Sequence, residues 1–199
     1  MARMGKEVAL GKYEGIKQFL YESDELSDIQ KQDLHKLFDY LENETGWLTA
    51  PASTRYHNSF EVGLIEHSIN VVNTGLLIKR AIAPDMSDTS IVLTGILHDC
   101  GKSDMYKRKE PTARQKQYGY PGSMGINEDI PYMEHEDRGL YMITKYYPHL
   151  TEEEYCAIAQ HNEPWLTSTC QFKRNRLMTI LQNADYWACL YLDEPGESY

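Results

Sequence analysis

The chain has 199 residues, 41% of them hydrophobic and 25% charged, which suits one compact folded unit with a core of ordinary size. Its formal net charge of −10 argues against wrapping a long nucleic acid, because phosphate contacts need a basic surface. No apolar stretch approaches the roughly 18–20 residues of a membrane span, and the opening MARMGKEVAL is not that of a signal peptide.

Helical signals dominate in chain order. GKYEGIKQFLYE (11–22) and SDIQKQDLHKLFDYLENE (27–44) carry apolar residues at helical spacing, and Ser27 with Gln30 forms a capping box. Residues 45–61 hold the breakers Gly46 and Pro51 and read as a loop. VGLIEHSINVVNTGLLIKRAI (62–82) is the next helix, ended by Pro84, and DTSIVLTGILHD (88–99) is apolar on nearly every side, as a central buried helix is. From 103 to 133 no period holds, and Gly119, Pro121, Gly122, Gly125 and Pro131 punctuate a long irregular loop with room for a short hairpin. Helices resume at 134–147 and at 151–162, where Thr151 and Glu154 make a second capping box. A loop around Pro164 and Trp165 leads to a last helix at 173–192. The four cysteines, Cys100, Cys156, Cys170 and Cys189, lack C-x-x-C spacing and read as reduced thiols of a cytoplasmic protein.

The polar residues on these helices raise a question. His67 shares a face with Leu64 and Val71; His98 and Asp99 end the greasiest run of the chain; His161 continues the stripe of Ala157 and Ile158; Asp185 sits beside Leu181, Ala184 and Ala188. Taken singly, each inward histidine reads more readily as a hydrogen-bonded core residue than as a ligand, and Asp185 as a helix-end residue frayed outward. Together, several unpaired polar groups aimed at one core would be heavily destabilising, and a buried carboxylate costs several kcal/mol unless positive charge accompanies it. One divalent cation satisfies all of them, and imidazole with carboxylate suits Mn, Fe, Ni, Co or Zn better than Ca or Mg.

The order of these residues resembles the HD-domain superfamily of metal-dependent phosphohydrolases. GLIEHSINV is similar to the family's first motif and carries His67; LTGILHDCGK is similar to its HD motif, with His98, Asp99 and a following Lys102; LQNADYWA is similar to its last motif, with Asp185. YMEHEDRG and AIAQHN resemble the segments that supply two further histidines in the two-metal subset, here His135 and His161. The resemblance covers roughly residues 56–190. It implies an all-α fold: a single HD-type domain over 1–199, with N-terminal helices in 1–44 and a helical bundle interrupted by the 103–133 insertion. It also implies two divalent ions held by His67, His98, Asp99, His135, His161 and Asp185, with Asp99 as bridge.

The reaction so implied is hydrolysis of a small phosphorylated substrate, a nucleotide or nucleotide-like ester, by metal-activated hydroxide, with Lys102 adding charge at the phosphate. Two other readings share the ligand set: a non-catalytic nucleotide-binding sensor and a di-iron oxygenase. Beyond the core, Lys107, Arg108, Lys109, Arg114 and Lys116 form a local basic run in an acidic chain, expected either as a solvated loop or as a lid on the substrate's phosphates. His57, just ahead of the first motif, is expected either at the mouth of the pocket or as a loop histidine without a role.

Overall fold

The computed structural model describes residues 3–54, 56–117, 123–163 and 175–195, and for 108, 115, 123 and 124 only the backbone. The fold is all-α. In chain order the helices are α1 (Lys6–Glu22), α2 (Asp28–Glu44), α3 (Gly63–Ile82), α4 (Asp88–Leu97), the short α5 (Lys102–Met105) and α6 (Ala113–Gln117), α7 (His135–Tyr146), α8 (Glu152–Ala159) and α9 (Arg176–Trp187). A two-stranded antiparallel hairpin, β1 (Tyr106–Lys109) with β2 (Ser123–Ile126), stands in the insertion, in the room the irregular loop left for it.

Both expected capping boxes form: Ser27 and Gln30 close the start of α2, and Thr151 and Glu154 close that of α8. α3 and α4 supply the centre, each buried along most of its length, and α9 packs on α3. The N-terminal pair is held together by Tyr13, buried against Phe38 and Trp47, whose hydroxyl accepts from Trp47 Nε1 at 3.0 Å and donates to Glu42 at 2.8 Å. No helix among the described residues is long and apolar enough to cross a membrane.

Three boundaries differ from the periodicity, and each difference serves position. α4 stops at Leu97, so His98 caps the helix and Asp99 lies in the turn beyond it. α8 stops at Ala159, so His161 sits in a turn rather than continuing a helical stripe. α9 runs only to Trp187 and then widens into a π-helical turn, Ala188–Leu192, closed by Asp193 N–H donating to Ala188 O at 2.9 Å. Such wide turns displace the following side chain relative to an α-helix; here that side chain is Asp193. The expected start of the last helix at 173, with Cys170 and the Pro164–Trp165 loop, lies outside the described residues.

The turn after Asp99 is held by contact between backbones. A Cβ at Gly101 would meet His135 O at 2.1 Å and Gly139 N at 2.6 Å, so only glycine lets this turn seat against the first turns of α7. Because the obstructing atoms are backbone, Gly101→Ala is expected to destabilise the protein by ~2–3 kcal/mol or more, lowering the melting temperature by several degrees in calorimetry.

Candidate metal centre

Asp99 is 1% exposed, and its two oxygens face two different sets of side chains. Its Oδ2 stands 3.5 Å from His67 Nε2 and 3.5 Å from His98 Nε2, while His67 Nε2 is also 3.2 Å from Asp185 Oδ1. Its Oδ1 stands 3.3 Å from His135 Nε2 and 3.5 Å from His161 Nε2. Within each set the imidazole nitrogens converge: His67 and His98 Nε2 are 3.3 Å apart, as are those of His135 and His161. Five helices or their ends, α3, α4, α7, α8 and α9, thus bring together all six residues expected as ligands.

Each ring is held from behind, so that its Nε2 is the atom presented. His98 Nδ1 lies 2.9 Å from Gly95 O and His161 Nδ1 lies 2.8 Å from Ile158 O. In both cases the acceptor is a carbonyl left unpaired by the end of a helix, which explains why α4 and α8 stop where they do. The other two histidines are backed by carboxylates: His67 Nδ1 is 2.7 Å from Asp193 Oδ2, and His135 Nδ1 is 3.1 Å from Glu136 Oε2. An anchored Nδ1–H fixes the tautomer in which Nε2 carries a lone pair, the usual arrangement behind a metal-ligating histidine.

The electrostatics favour a cation. Burial pulls the His98 imidazole down to about 3, and burial also lowers His135, so both rings are neutral and able to ligate. Burial acts the same way on His67, but hydrogen bonding to Asp185 and Asp193 outweighs it and lifts the ring to about 10. A proton there answers the surrounding carboxylates, and a divalent ion can take its place. Burial opposes ionisation of Asp99, yet the neighbouring Lys102 ammonium holds its carboxyl well below the usual range. Lys102 Nζ donates to Asp99 Oδ2 at 2.6 Å, supplying part of the positive charge the buried carboxylate requires.

Lys102 leaves the other oxygen unanswered. Among the described residues Asp99 Oδ1 is buried without a hydrogen-bond partner, although two imidazole nitrogens approach it. An unsatisfied buried carboxylate oxygen is costly. Burial pulls the His161 ring down, yet its approach to this oxygen raises it, and a divalent ion between the two could replace that proton. The residues present therefore fit a divalent metal on both sides of Asp99. Three-residue groups with ligand atoms within 4.8 Å include His67–His98–Asp99, Asp99–His135–His161 and His98–His161–Asp185.

Not every expected site residue joins this centre. His57 is half-buried behind it, its Nδ1 2.7 Å from Asp193 Oδ2 and its ring 4.8 Å from that of His67. Lys107 pairs with Asp129, Lys109 with Glu128 at 3.0 Å and Lys116 with Glu110 at 3.7 Å, all on the exposed insertion. Arg114 is exposed, and the side chain of Arg108 lies outside the described residues. Among the described contacts none joins this basic run to the six ligands. The charges of its three lysines are thus paired within the insertion.

A family model for the HD domain matches residues 64–188. The chain belongs to the HD-domain family. With it comes the superfamily's general character, that of metal-dependent phosphohydrolases. No curated protein and no solved structure matches the chain.

Asp193, which lies past the matched residues, was missed by sequence reasoning. It follows an apolar run in YLDEPG and looks like the first polar residue after a helix. Yet its side chain is fully buried and takes three hydrogen bonds, from His57, His67 and, at 2.8 Å on Oδ1, Asn70. Asp193→Ala would leave those buried donors unpaired, and a loss of about 3–5 kcal/mol is expected, against ~1 kcal/mol for Asn70→Ala. Urea midpoints of the two variants measure the difference.

Proposed function

We propose that the protein is a metal-dependent phosphohydrolase acting on a small nucleotide or nucleotide-like phosphate ester. One observation carries the reading: a single buried carboxylate, Asp99, turns one oxygen to His67 and His98 and the other to His135 and His161. In this proposal His67, His98 and Asp185 hold one divalent ion, His135 and His161 hold a second, and Asp99 serves both. Ions held there supply Lewis-acid charge at a phosphoryl group and acidify water.

The protein's own groups do the rest. The helix-end carbonyls of Gly95 and Ile158 and the carboxylates of Asp193 and Glu136 keep four imidazoles in place, so little reorganisation accompanies the reaction. Burial keeps bulk water from screening the charges. Lys102 donates to the metal-facing oxygen of Asp99, and burial notwithstanding, Asp99 keeps its ammonium ionised. Its charge therefore stands beside the centre, where negative charge grows on the phosphoryl oxygens in the transition state. The complete set of six ligands supports an enzyme over a sensor with a degenerate centre.

Three outcomes are expected. Asp99→Ala should abolish binding of both ions, whereas His135→Ala or His161→Ala should reduce metal content by about half, as read by elemental analysis after reconstitution with Mn. Removing metal should lower the melting temperature by several degrees, because a ligand bound only by the folded state stabilises it by ~3–4 kcal/mol at a hundred to a thousand times its dissociation constant. A Mn-loaded sample should release phosphate from nucleotides without oxygen, and Lys102→Ala should lower kcat more than it raises KM. Oxygen consumption with ferrous iron and no phosphate release would replace the hydrolase reading with the oxygenase.

A further inference from the structure

The insertion contributes something other than its basic run. Between the hairpin and the start of α7 lies a cleft of about 280 Å³, walled by Met105, Ile126, Ile130, Pro131, Tyr132 and Met133. Two of these large apolar side chains face water: Ile126 is 69% and Tyr132 81% exposed. The cleft adjoins the centre through two helices. Met105 ends α5, whose first residue, Lys102, bonds Asp99. Arg138, also in the wall, is three residues on from His135 in α7. Met105 and Arg138 thus stand one helical turn, a rise of about 5 Å, along their elements from Lys102 and His135.

The polar side chains of its rim are mostly engaged with neighbouring groups. Asn127 donates to Asp104 O at 3.0 Å and accepts from Asp129 N at 3.1 Å. Glu128 pairs with Lys109, and Tyr132 donates its hydroxyl to Glu134. Arg138 is the exception in kind. Its side chain is 8% exposed, and Nη2 donates to Pro131 O at 3.0 Å while Nη1 faces Asp104 at 3.4 Å. Its Nε has no acceptor. A buried guanidinium in an apolar wall offers a flat cationic face, which attracts an aromatic ring and has no comparable attraction for an aliphatic chain. The volume falls just below the roughly 300–1,000 Å³ of pockets that enclose a whole ligand, and suits one ring system.

We infer that this cleft holds the aromatic half of the phosphate ester, a nucleobase or single aryl ring, gripped by stacking and apolar contact while the phosphoryl group lies at the metal centre. The inference rests on the phosphohydrolase reading for where the phosphorus sits. With a guanidinium set in an apolar wall, the cleft selects aromatic over aliphatic esters.

The test compares two non-cleavable ligands that differ only in the organic half, phenylphosphonate and methylphosphonate, binding to the Mn-loaded full chain in calorimetry. Wild type is expected to favour the phenyl compound by about tenfold or more, in line with one stacked ring. Tyr132→Ala and Ile126→Asp, both at exposed positions and neither among the six ligands, should each remove most of that preference and leave methylphosphonate binding and metal content unchanged. Equal binding of the two phosphonates by wild type, no binding of either, or a preference that survives in both variants overturns the cleft. Phosphate release from phenyl phosphate is followed in parallel. Its absence, with the phosphonate preference intact, overturns the hydrolase reading and leaves the aromatic cleft standing.

Discussion

The structure depends on how the buried charge of Asp99 is compensated. A carboxylate 1% exposed at the centre of an all-helical core would be a severe liability in isolation. Lys102 answers one oxygen from three residues along the chain. Among the described residues the other oxygen is answered only by the approach of two imidazoles. Stability alone would be better served by an apolar residue, so the group is retained against a folding cost, which is the mark of a site rather than of a scaffold.

The helices are arranged to make that carboxylate reachable from both sides. Two of them, α4 and α8, end where their last carbonyls can accept a histidine Nδ1–H, so an ordinary helix terminus becomes a ring holder. Their C-terminal dipole ends also favour a positive charge nearby. On the other two histidines the holder is a carboxylate, Asp193 or Glu136. Each oxygen of Asp99 thus faces one carbonyl-backed and one carboxylate-backed imidazole. The π-helical turn after α9 belongs to the same arrangement, because it returns Asp193 to the core behind His67.

The insertion divides its labour differently from what its charge suggests. Its lysines find acids within the same segment, which leaves their charges solvated and locally balanced. Two of its large apolar side chains, Ile126 and Tyr132, stay exposed, and they border a cleft whose wall includes Met105 of α5 and Arg138 of α7. In the reading proposed above, buried groups of the bundle would meet the phosphate and the hairpin would border the organic half of the ester.

The amino-acid sequence by itself determined the helical class, both capping boxes, the buried centre at 88–99 and the six residues of the candidate centre. These are all matters of local pattern: 3.6-residue periodicity, cap spacing, and polar residues placed on apolar faces, with the family motifs giving their order. What only the tertiary structure decided concerns pairs distant in the chain. Asp193 meets His67 across 126 positions and His57 across 136, and no local pattern marks a carboxylate just past a helix as buried. Lysines of the basic run were legible as charge, but their neutralisation by Glu128 and Asp129 waited on the hairpin register that brings those acids alongside. The orphaned Oδ1 of Asp99 is likewise a property of the assembled core, because satisfaction of a buried atom depends on which donors the packed helices aim at it.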